Sequence, residues 1–116
     1  MGTGHDIQCE FLIPVRRDAK LSDGKRHLSA AWKWLQERLY VEFRGYTIAP
    51  GLYKGVYEDP DDGSPVMDES FRYEVALPQG RLDDLRAVLQ GACVVFQQKC
   101  IYVSVAGRVE FVRMRQ

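Results

Sequence analysis

The order in which two kinds of hydrophobic pattern follow one another is the feature that most restricts the fold of this chain. Four segments alternate apolar and polar side chains, which predicts strands with one buried face. They are residues 7–15, 52–57, 71–77 and 101–105. Two further segments, 28–39 and 82–96, repeat apolar residues at three- and four-residue steps, which predicts amphipathic helices. One helix falls between the first two strands and the other between the last two.

This order of elements (βαββαβ) predicts an α+β domain, a ferredoxin-like sandwich of the split βαβ type. Its antiparallel sheet carries both helices on one face, and right-handed crossovers leave few other arrangements. Residues 109–112 are expected to continue the last strand or to form a short strand of their own. We expect 1–116 to be a single domain, with 1–6 as a flexible N-terminal tail.

The segments between these elements contain turn-forming residues. Residues 16–25 are predicted to form a polar loop and 46–50 a connection. Residues 58–69 contain two prolines and a glycine, so the second and third strands are expected to form an antiparallel hairpin with a long loop. Gly55 indicates a bulge or a close backbone approach in the second strand.

The first helix carries both tryptophans of the chain. Ser29 is its predicted N-cap, and Gly45 is expected to end it. Trp32 and Trp34 are two positions apart, which separates them by about 200° around the helix axis. We therefore expect one of them to be exposed to solvent or to lie at a second interface.

Charge and hydropathy exclude several classes of partner. The 16 Lys and Arg residues balance 16 Asp and Glu residues, so no basic excess favours nucleic-acid binding. No apolar run approaches the roughly 20 residues of a membrane helix, and the N-terminus does not resemble a signal peptide. These features predict a cytoplasmic protein with neither a nucleic acid nor a membrane as partner.

The cysteines and histidines show no catalytic or metal-binding spacing. Cys9, Cys93 and Cys100 are an odd number without a CxxC pair, so we expect small buried side chains rather than disulfides or nucleophiles. His27 precedes the first helix and is expected to be solvated or to cap that helix. Neither a cofactor nor a metal ion is predicted.

The sheet face away from the helices is expected to carry aromatic and aliphatic side chains, which are unfavourable on a surface exposed to solvent. Leu12, Tyr53, Tyr73 and Tyr102, or their neighbours, compete for places on this face. Open faces of this kind are often covered by a second copy of the chain, so we predict a homodimer with a cavity between the copies. A monomer whose open face binds a ligand directly is the alternative.

A series of short motifs follows in a fixed order along the last two thirds of the chain. It pairs Gly45 with Thr47, Gly55 with Tyr57, Asp59 with Gly63, Glu69 with Ser70, and Phe96 with Gln98. In this order and spacing the chain resembles a family of small uncharacterised bacterial proteins. That resemblance implies a ferredoxin-like fold and no known activity.

One group of polar residues is a candidate ligand-binding site beside the hairpin. The group comprises Thr47, Tyr57, Glu69, Arg72 and Gln98. In this interpretation Glu69 is a general acid or base, Arg72 holds an anion and tyrosines form the walls. In the alternative interpretation, Glu69 pins the loop by bonding Thr47 or loop backbone N–H groups.

The acidic turn within 58–69 suggests a metal site only superficially. Counted from Glu58, Gly63 and Glu69 occupy the glycine and glutamate positions of a calcium-binding EF-hand loop. Pro60 at the third position and the flanking strands argue against such a loop. A solvated turn is therefore the expected structure.

Two functions remain open from the sequence. The first is a homodimeric module that binds a small ligand or a protein partner. The second is a small dimeric α+β barrel enzyme in which Glu69 acts as general acid or base on a small organic substrate.

Overall fold

A computed structural model describes residues 6–114, and this part of the chain forms one antiparallel sheet with two helices packed against it. A 3-10 turn, Gln79–Arg81, leads into the second helix. The elements in chain order are β1 (Asp6–Pro14), α1 (Ser29–Phe43), β2 (Thr47–Ile48), β3 (Tyr53–Glu58), β4 (Pro65–Pro78), α2 (Leu82–Val95), β5 (Cys100–Val105) and β6 (Arg108–Arg113). The predicted tail at 1–5 lies outside the described residues, and Asp6 already belongs to β1.

The strand order β2-β4-β1-β5-β6, with β3 also on β4, confirms the α+β class and is compatible with a ferredoxin-like fold. β2 and β3 pair with the same edge of β4, through Thr47 opposite Glu74 and Tyr53 opposite Ser70. Between these pairs, β2 and β3 use two more residues than β4 does. The two strands therefore act as one edge strand that is interrupted around Gly51.

Three boundaries differ from the expectation. β4 begins at Pro65 rather than at 71, so the long hairpin loop shrinks to 59–64. The connection predicted at 46–50 contains the short strand β2. β6 is a separate strand, because Ala106 and Gly107 both adopt positive φ (49° and 85°), as a tight two-residue hairpin turn requires.

The ends of α1 and the backbone pairing at Gly55 also differ from the prediction. Leu28 occupies the N-cap position and Ser29 is the first helical residue. Arg44, not Gly45, takes the left-handed conformation that ends the helix, with its N–H donated to the carbonyl of Tyr40 at 2.9 Å. Gly55 pairs regularly with Asp68, so it forms no bulge.

The core lies between the helices and one face of the sheet. The odd-numbered residues from Cys9 to Ile13 in β1 and from Tyr73 to Leu77 in β4 point toward α1 and α2 and are almost fully buried. The Phe11 and Tyr73 rings stack with their centres 5.5 Å apart. Tyr73 was expected to compete for the open face, but the pleat of β4 turns it into the core.

Both tryptophans pack against this core, so the expectation that one of them is exposed was wrong. Trp32 contacts the rings of Phe71 and Phe96. Trp34 packs against α2 at Gly91, where an added Cβ would lie only 3.2 Å from the indole. The absence of a side chain at Gly91 therefore lets α2 accept the second tryptophan. Neither helix within 6–114 is long and apolar enough to cross a membrane.

The packing of α1 gives a first prediction. Leu39 is fully buried, whereas Val41 on the same helix is 58% exposed. Leu39→Ala should lower the free energy of unfolding by about 2–5 kcal/mol, because it leaves a cavity in the core. Val41→Ala should change it by no more than about 0.5 kcal/mol. Urea denaturation of both variants measures the difference, and similar losses would contradict the assigned helix face.

Candidate functional site

The sheet face away from the helices contains a cavity of about 360 Å³, which we call the open-face cavity. Most of its wall is aromatic or aliphatic, and Asp68 and Ser70 supply polar atoms. The main contributors are Leu12, Tyr53, Tyr57, Asp68, Ser70, Cys100, Tyr102 and Phe111. The predicted places of Leu12, Tyr53 and Tyr102 on the open face are therefore confirmed.

The register of the strands brings these side chains to one face. Tyr53 lies opposite Ser70, and Tyr102 lies opposite Phe111. Strands about 4.8 Å apart would place β3 and β6 about 19 Å from each other in a flat sheet. Because residues from both of these strands line one cavity, the sheet must curve around it.

Gly55 keeps space open in the wall of the cavity. It pairs with Asp68 and follows the same alternation as Tyr53 and Tyr57, so its missing side chain would point to the open face. A Cβ built at Gly55 would have no heavy atom within 4 Å. A larger residue there would occupy the cavity without straining the backbone.

Asp68 is the only carboxyl group among the residues that line the open-face cavity. Burial raises the pKa of Asp68, and the negative charge of Asp18 adds to this, while a hydrogen bond with the Tyr57 side chain opposes it. Burial, with the charge of Asp68, also raises the pKa of Tyr57. Asp68 therefore takes up a proton more readily than an exposed aspartate, and an added positive charge nearby would favour its ionised form.

The thiols of the chain are poorly suited to act as nucleophiles. Cys9 and Cys93 are fully buried, as expected for small core side chains. Cys100 is half-buried and lines the cavity. Burial raises the pKa of all three thiols, for Cys93 to about 12, so thiolate is scarce near neutral pH.

The five residues predicted to form a polar cluster do not share one cavity. Tyr57 lines the open-face cavity, and Arg72 stands at its edge beside Tyr53. Thr47 is exposed, opposite Glu74 on the far part of β4. Glu69 and Gln98 lie elsewhere in the fold and do not line this cavity.

Glu69 and Gln98 take part in holding the chain segment after β1. Glu69 is exposed on the side of the hairpin opposite Asp68, and its backbone carbonyl accepts the N–H of Val15 at 2.9 Å. The amide of Gln98, which is buried, donates to the carbonyl of Arg16 at 2.7 Å and to that of Phe96 at 2.9 Å. The Glu69 contact uses the backbone carbonyl and not the carboxylate, so it differs from the predicted pinning through the side chain. Neither Glu69 nor Gln98 lines the open-face cavity.

Sequence reasoning missed Asp68, Ser70 and Phe111 as cavity residues. Asp68 and Ser70 fall on the same face as Arg72 because β4 extends back to Pro65, an extension that the apolar pattern of the sequence does not indicate. Phe111 follows from the tight turn at 106–107, which pairs it with Tyr102.

The sequence predicts that the acidic turn is solvated, but the structure shows that Asp59 within it is buried and paired. Asp59 is 3% exposed and accepts the backbone N–H groups of Asp61 and Asp62. Lys20 and Lys99 both place their Nζ atoms 3.4 Å from Asp59. Among residues 6–114, no three His, Cys, Asp or Glu side chains are grouped so as to hold a metal ion.

His27 is half-buried rather than solvated. Its Nε2 lies 2.7 Å from the carbonyl oxygen of Pro14, and its ring packs edge-on against Phe96 at 4.9 Å between centres. Burial lowers its pKa, so the neutral ring is favoured. His27 therefore joins the end of β1 to the aromatic core and does not face the open-face cavity.

The chain matches no protein-family model and no curated protein. Among solved structures it is similar to a phage SAM lyase in complex with S-methyl-5′-thioadenosine, with a TM-score of 0.67 at 12% identity. That match covers 97% of this chain and 93% of the lyase chain. The apo state of a phage SAM lyase gives the same TM-score and identity over 100% and 94% of the two chains. At this identity the likeness establishes the fold alone, and the resemblance to uncharacterised bacterial proteins stays a prediction.

The buried Asp59 gives a prediction about pH. Hydrogen bonds from backbone N–H groups and from Lys99 and Lys20 hold the pKa of Asp59 below its usual value. Its contribution to stability is therefore present above the unfolded-state pKa of about 3.9 and is lost as the pH falls through the lower folded-state value. Asp59→Asn should be less stable than the wild type at pH 7, and the difference should shrink below about pH 4.

Urea denaturation at several pH values measures this difference. Glu37→Gln, at an exposed position of α1, is the control and should follow the wild type throughout. A stability difference at Asp59 that persists unchanged at pH 2–3 would contradict the assigned role of the carboxylate.

Proposed function

We propose that this protein is a small enzyme that binds a 5′-thioadenosine nucleoside in the open-face cavity and cleaves a carbon–sulfur bond of S-adenosylmethionine. The observation that carries the proposal is the cavity itself, in which aromatic side chains surround one half-buried carboxyl group. The likeness in fold to a phage SAM lyase supports an enzyme rather than a module that only holds its ligand.

The walls of the cavity suit an adenine nucleoside. Tyrosine and phenylalanine rings stack on purines, and such stacking contributes about 1–3 kcal/mol per base. Tyr53, Tyr102 and Phe111 offer these surfaces around a volume of about 360 Å³. Small-molecule sites commonly have volumes of about 300–1,000 Å³, so a single nucleoside is an appropriate occupant.

Asp68 supplies charge selectivity in this proposal. The sulfur of S-adenosylmethionine is a sulfonium, which carries a positive charge. A cation in the cavity favours ionised Asp68 and is attracted by the faces of Tyr53 and Tyr57. Asp68 takes the acid–base role considered for Glu69, because Asp68 lines the cavity and Glu69 lies on the other side of the hairpin.

The proposed reaction breaks the bond between the sulfonium sulfur and the carbon arm of the methionine part. Sulfur keeps the electron pair of that bond, and neutral methylthioadenosine leaves. In one route, the carbon that loses sulfur bonds to a carboxylate oxygen of the same arm, which closes a lactone. In the other route, the neighbouring carbon gives a proton to Asp68 and a double bond forms between the two carbons. Both routes cancel the sulfonium charge against a carboxylate, which apolar surroundings favour over water.

Turnover of S-adenosylmethionine by the full chain tests the proposal. Mass spectrometry of the products should show methylthioadenosine together with a lactone or an alkene. Gly55→Leu should lower kcat/KM at least about tenfold, because the new side chain fills the cavity. Gly80→Leu is the matched control, since its position is equally open but does not line the cavity.

The outcomes separate the candidate functions. Asp68→Asn should also lower kcat/KM at least about tenfold, since a charge pair a few Å apart contributes about 1–4 kcal/mol outside the deep interior. Binding of methylthioadenosine without turnover would instead support a homodimeric binding module, the second candidate. The absence of both binding and turnover would contradict the proposal.

We also propose that a second copy of the chain covers the open face. Val109 and Phe111 on this face are 54% and 53% exposed, and they continue the apolar surface of the cavity to the edge strand β6. Large apolar side chains that adjoin one another at a sheet edge favour association. A second copy would close the cavity on the side that faces solvent.

The mass of the protein in solution tests the proposed homodimer. Light scattering should give twice the chain mass of 13.3 kDa for the wild type. Val109→Glu should dissociate the dimer by burying a charge at the interface. Val94→Glu is the matched control, because Val94 is 51% exposed on α2 and lies on the helix side of the sheet. A wild-type chain that is monomeric at high concentration would contradict this proposal.

A further inference from the structure

A group of charged and amide side chains continues the open face beyond the cavity. This rim cluster consists of Gln8, Glu10, Arg72 and Glu74, on the central strands β1 and β4. Arg72 lies opposite Leu12 in the register and two residues along β4 from Ser70, and both of these neighbours line the cavity. The rim cluster is thus one step of the sheet pleat, about 7 Å, from the cavity wall.

The rim cluster is held together by hydrogen bonds and ion pairs. Arg72 pairs with Glu10 through its terminal nitrogen, and its Nε lies 3.9 Å from Glu74. The Gln8 amide donates to Glu10 at 3.2 Å and to Glu74 at 3.0 Å. One guanidinium faces two carboxylates, so the rim cluster holds both signs of charge and an excess of negative charge.

Arg72 lies beside the cavity through its contact with Tyr53. Its guanidinium carbon lies 5.6 Å from the centre of the Tyr53 ring, and that ring forms part of the cavity wall. Its Nε is buried without a hydrogen-bond partner in the described part of the chain. Because this Nε is enclosed, an anionic group of a ligand would meet the terminal nitrogens of the guanidinium instead, on a side chain that is partly exposed.

We propose that the rim cluster binds the amino-acid end of the ligand whose thioadenosine part occupies the open-face cavity. Arg72 would pair with the α-carboxylate, and Glu10 and Glu74 would accept from the α-ammonium group. An arm of three carbons separates these groups from sulfur in S-adenosylmethionine and in S-adenosylhomocysteine, a span that fits one step of the pleat. The inference rests on the function proposed above and extends it to the part of the ligand that methylthioadenosine lacks.

Calorimetric titration with two nucleosides tests this inference. S-adenosylhomocysteine and methylthioadenosine share adenine, ribose and a neutral thioether, but only S-adenosylhomocysteine carries the amino-acid arm. The full wild-type chain should bind S-adenosylhomocysteine at least fivefold more tightly. Arg72→Met keeps an apolar stem beside Tyr53. This variant should bind S-adenosylhomocysteine no more tightly than methylthioadenosine, and its affinity for methylthioadenosine should stay within twofold of the wild type.

Two further variants guard against a general loss of structure. Glu10→Gln keeps the shape of the side chain and should also weaken only S-adenosylhomocysteine, by at least threefold. Arg108→Met, at an exposed position of β6 outside the rim cluster, should change neither affinity. The difference between the two nucleosides is the decisive quantity, because misfolding would reduce both affinities together.

The possible failures are distinguishable. If methylthioadenosine binds the wild type and S-adenosylhomocysteine binds no more tightly, the inference is overturned while the proposed nucleoside site stands. Equal losses for both nucleosides in Arg72→Met would likewise overturn it. If neither nucleoside binds, the proposed function fails and the inference fails with it.

Discussion

The pleat of β4 is the constraint on which the rest of the structure depends. Because successive side chains of a strand point to opposite faces, its odd-numbered residues from Tyr73 to Leu77 enter the core beneath the helices. Its even-numbered residues, from Asp68 through Ser70 and Arg72, therefore face the open side. A shift of register by one residue would exchange the two sets, burying charge and exposing the core, so the core fixes the face on which Ser70 and Arg72 lie.

The part of β4 that precedes Ser70 has a different role from the rest. It pairs with β3 and with little else, and it forms a two-stranded arm beyond the layer of helices. Two-stranded arms are marginally stable alone, so this one needs anchors. Lys20 and Lys99, bound to the turn at Asp59, connect its tip to the loop after β1 and to the start of β5. The acidic turn thereby keeps one wall of the cavity in place.

The parts of the fold that could be predicted from the sequence are those that the core dictates. β1, α1, α2 and β5 each bury one face, so their apolar periodicity marks them clearly. Residues 65–69 are exposed or half-buried, and their apolar side chains do not alternate with polar ones, since neither face of the hairpin arm lies under a helix. The register that carries Asp68 to the cavity therefore depends on backbone pairing with β3, which leaves no hydrophobic pattern to detect.

The five polar candidates do not share one cavity for a related reason, although Tyr57 lines the open-face cavity. Glu69, Gln98 and Tyr57 were grouped by residue type and by their position near the ends of predicted elements. Adjacent residues on a strand point to opposite faces, so Glu69 and Asp68 differ by one position yet lie on opposite sides of the hairpin. Gln98 follows α2, where buried carbonyl groups need a donor, and its amide satisfies two of them. Residue type does not show on which face of the sheet a side chain lies. That face decides whether a side chain can contact a ligand in the cavity.

The open face combines an aromatic environment with a charged one. Its aromatic half around Tyr102 would be unfavourable in water, and its charged half around Arg72 would be unfavourable under a uniformly apolar cover. A ligand with an aromatic base at one end and a zwitterion at the other satisfies both halves at once, whereas a simple hydrocarbon or a simple ion satisfies only one. The excess of carboxylates over guanidinium in the rim cluster further favours a ligand that carries net positive charge. S-adenosylmethionine, the substrate proposed above, has such a base, a zwitterion and a sulfonium, so the proposals for the cavity and for the rim cluster are consistent with each other.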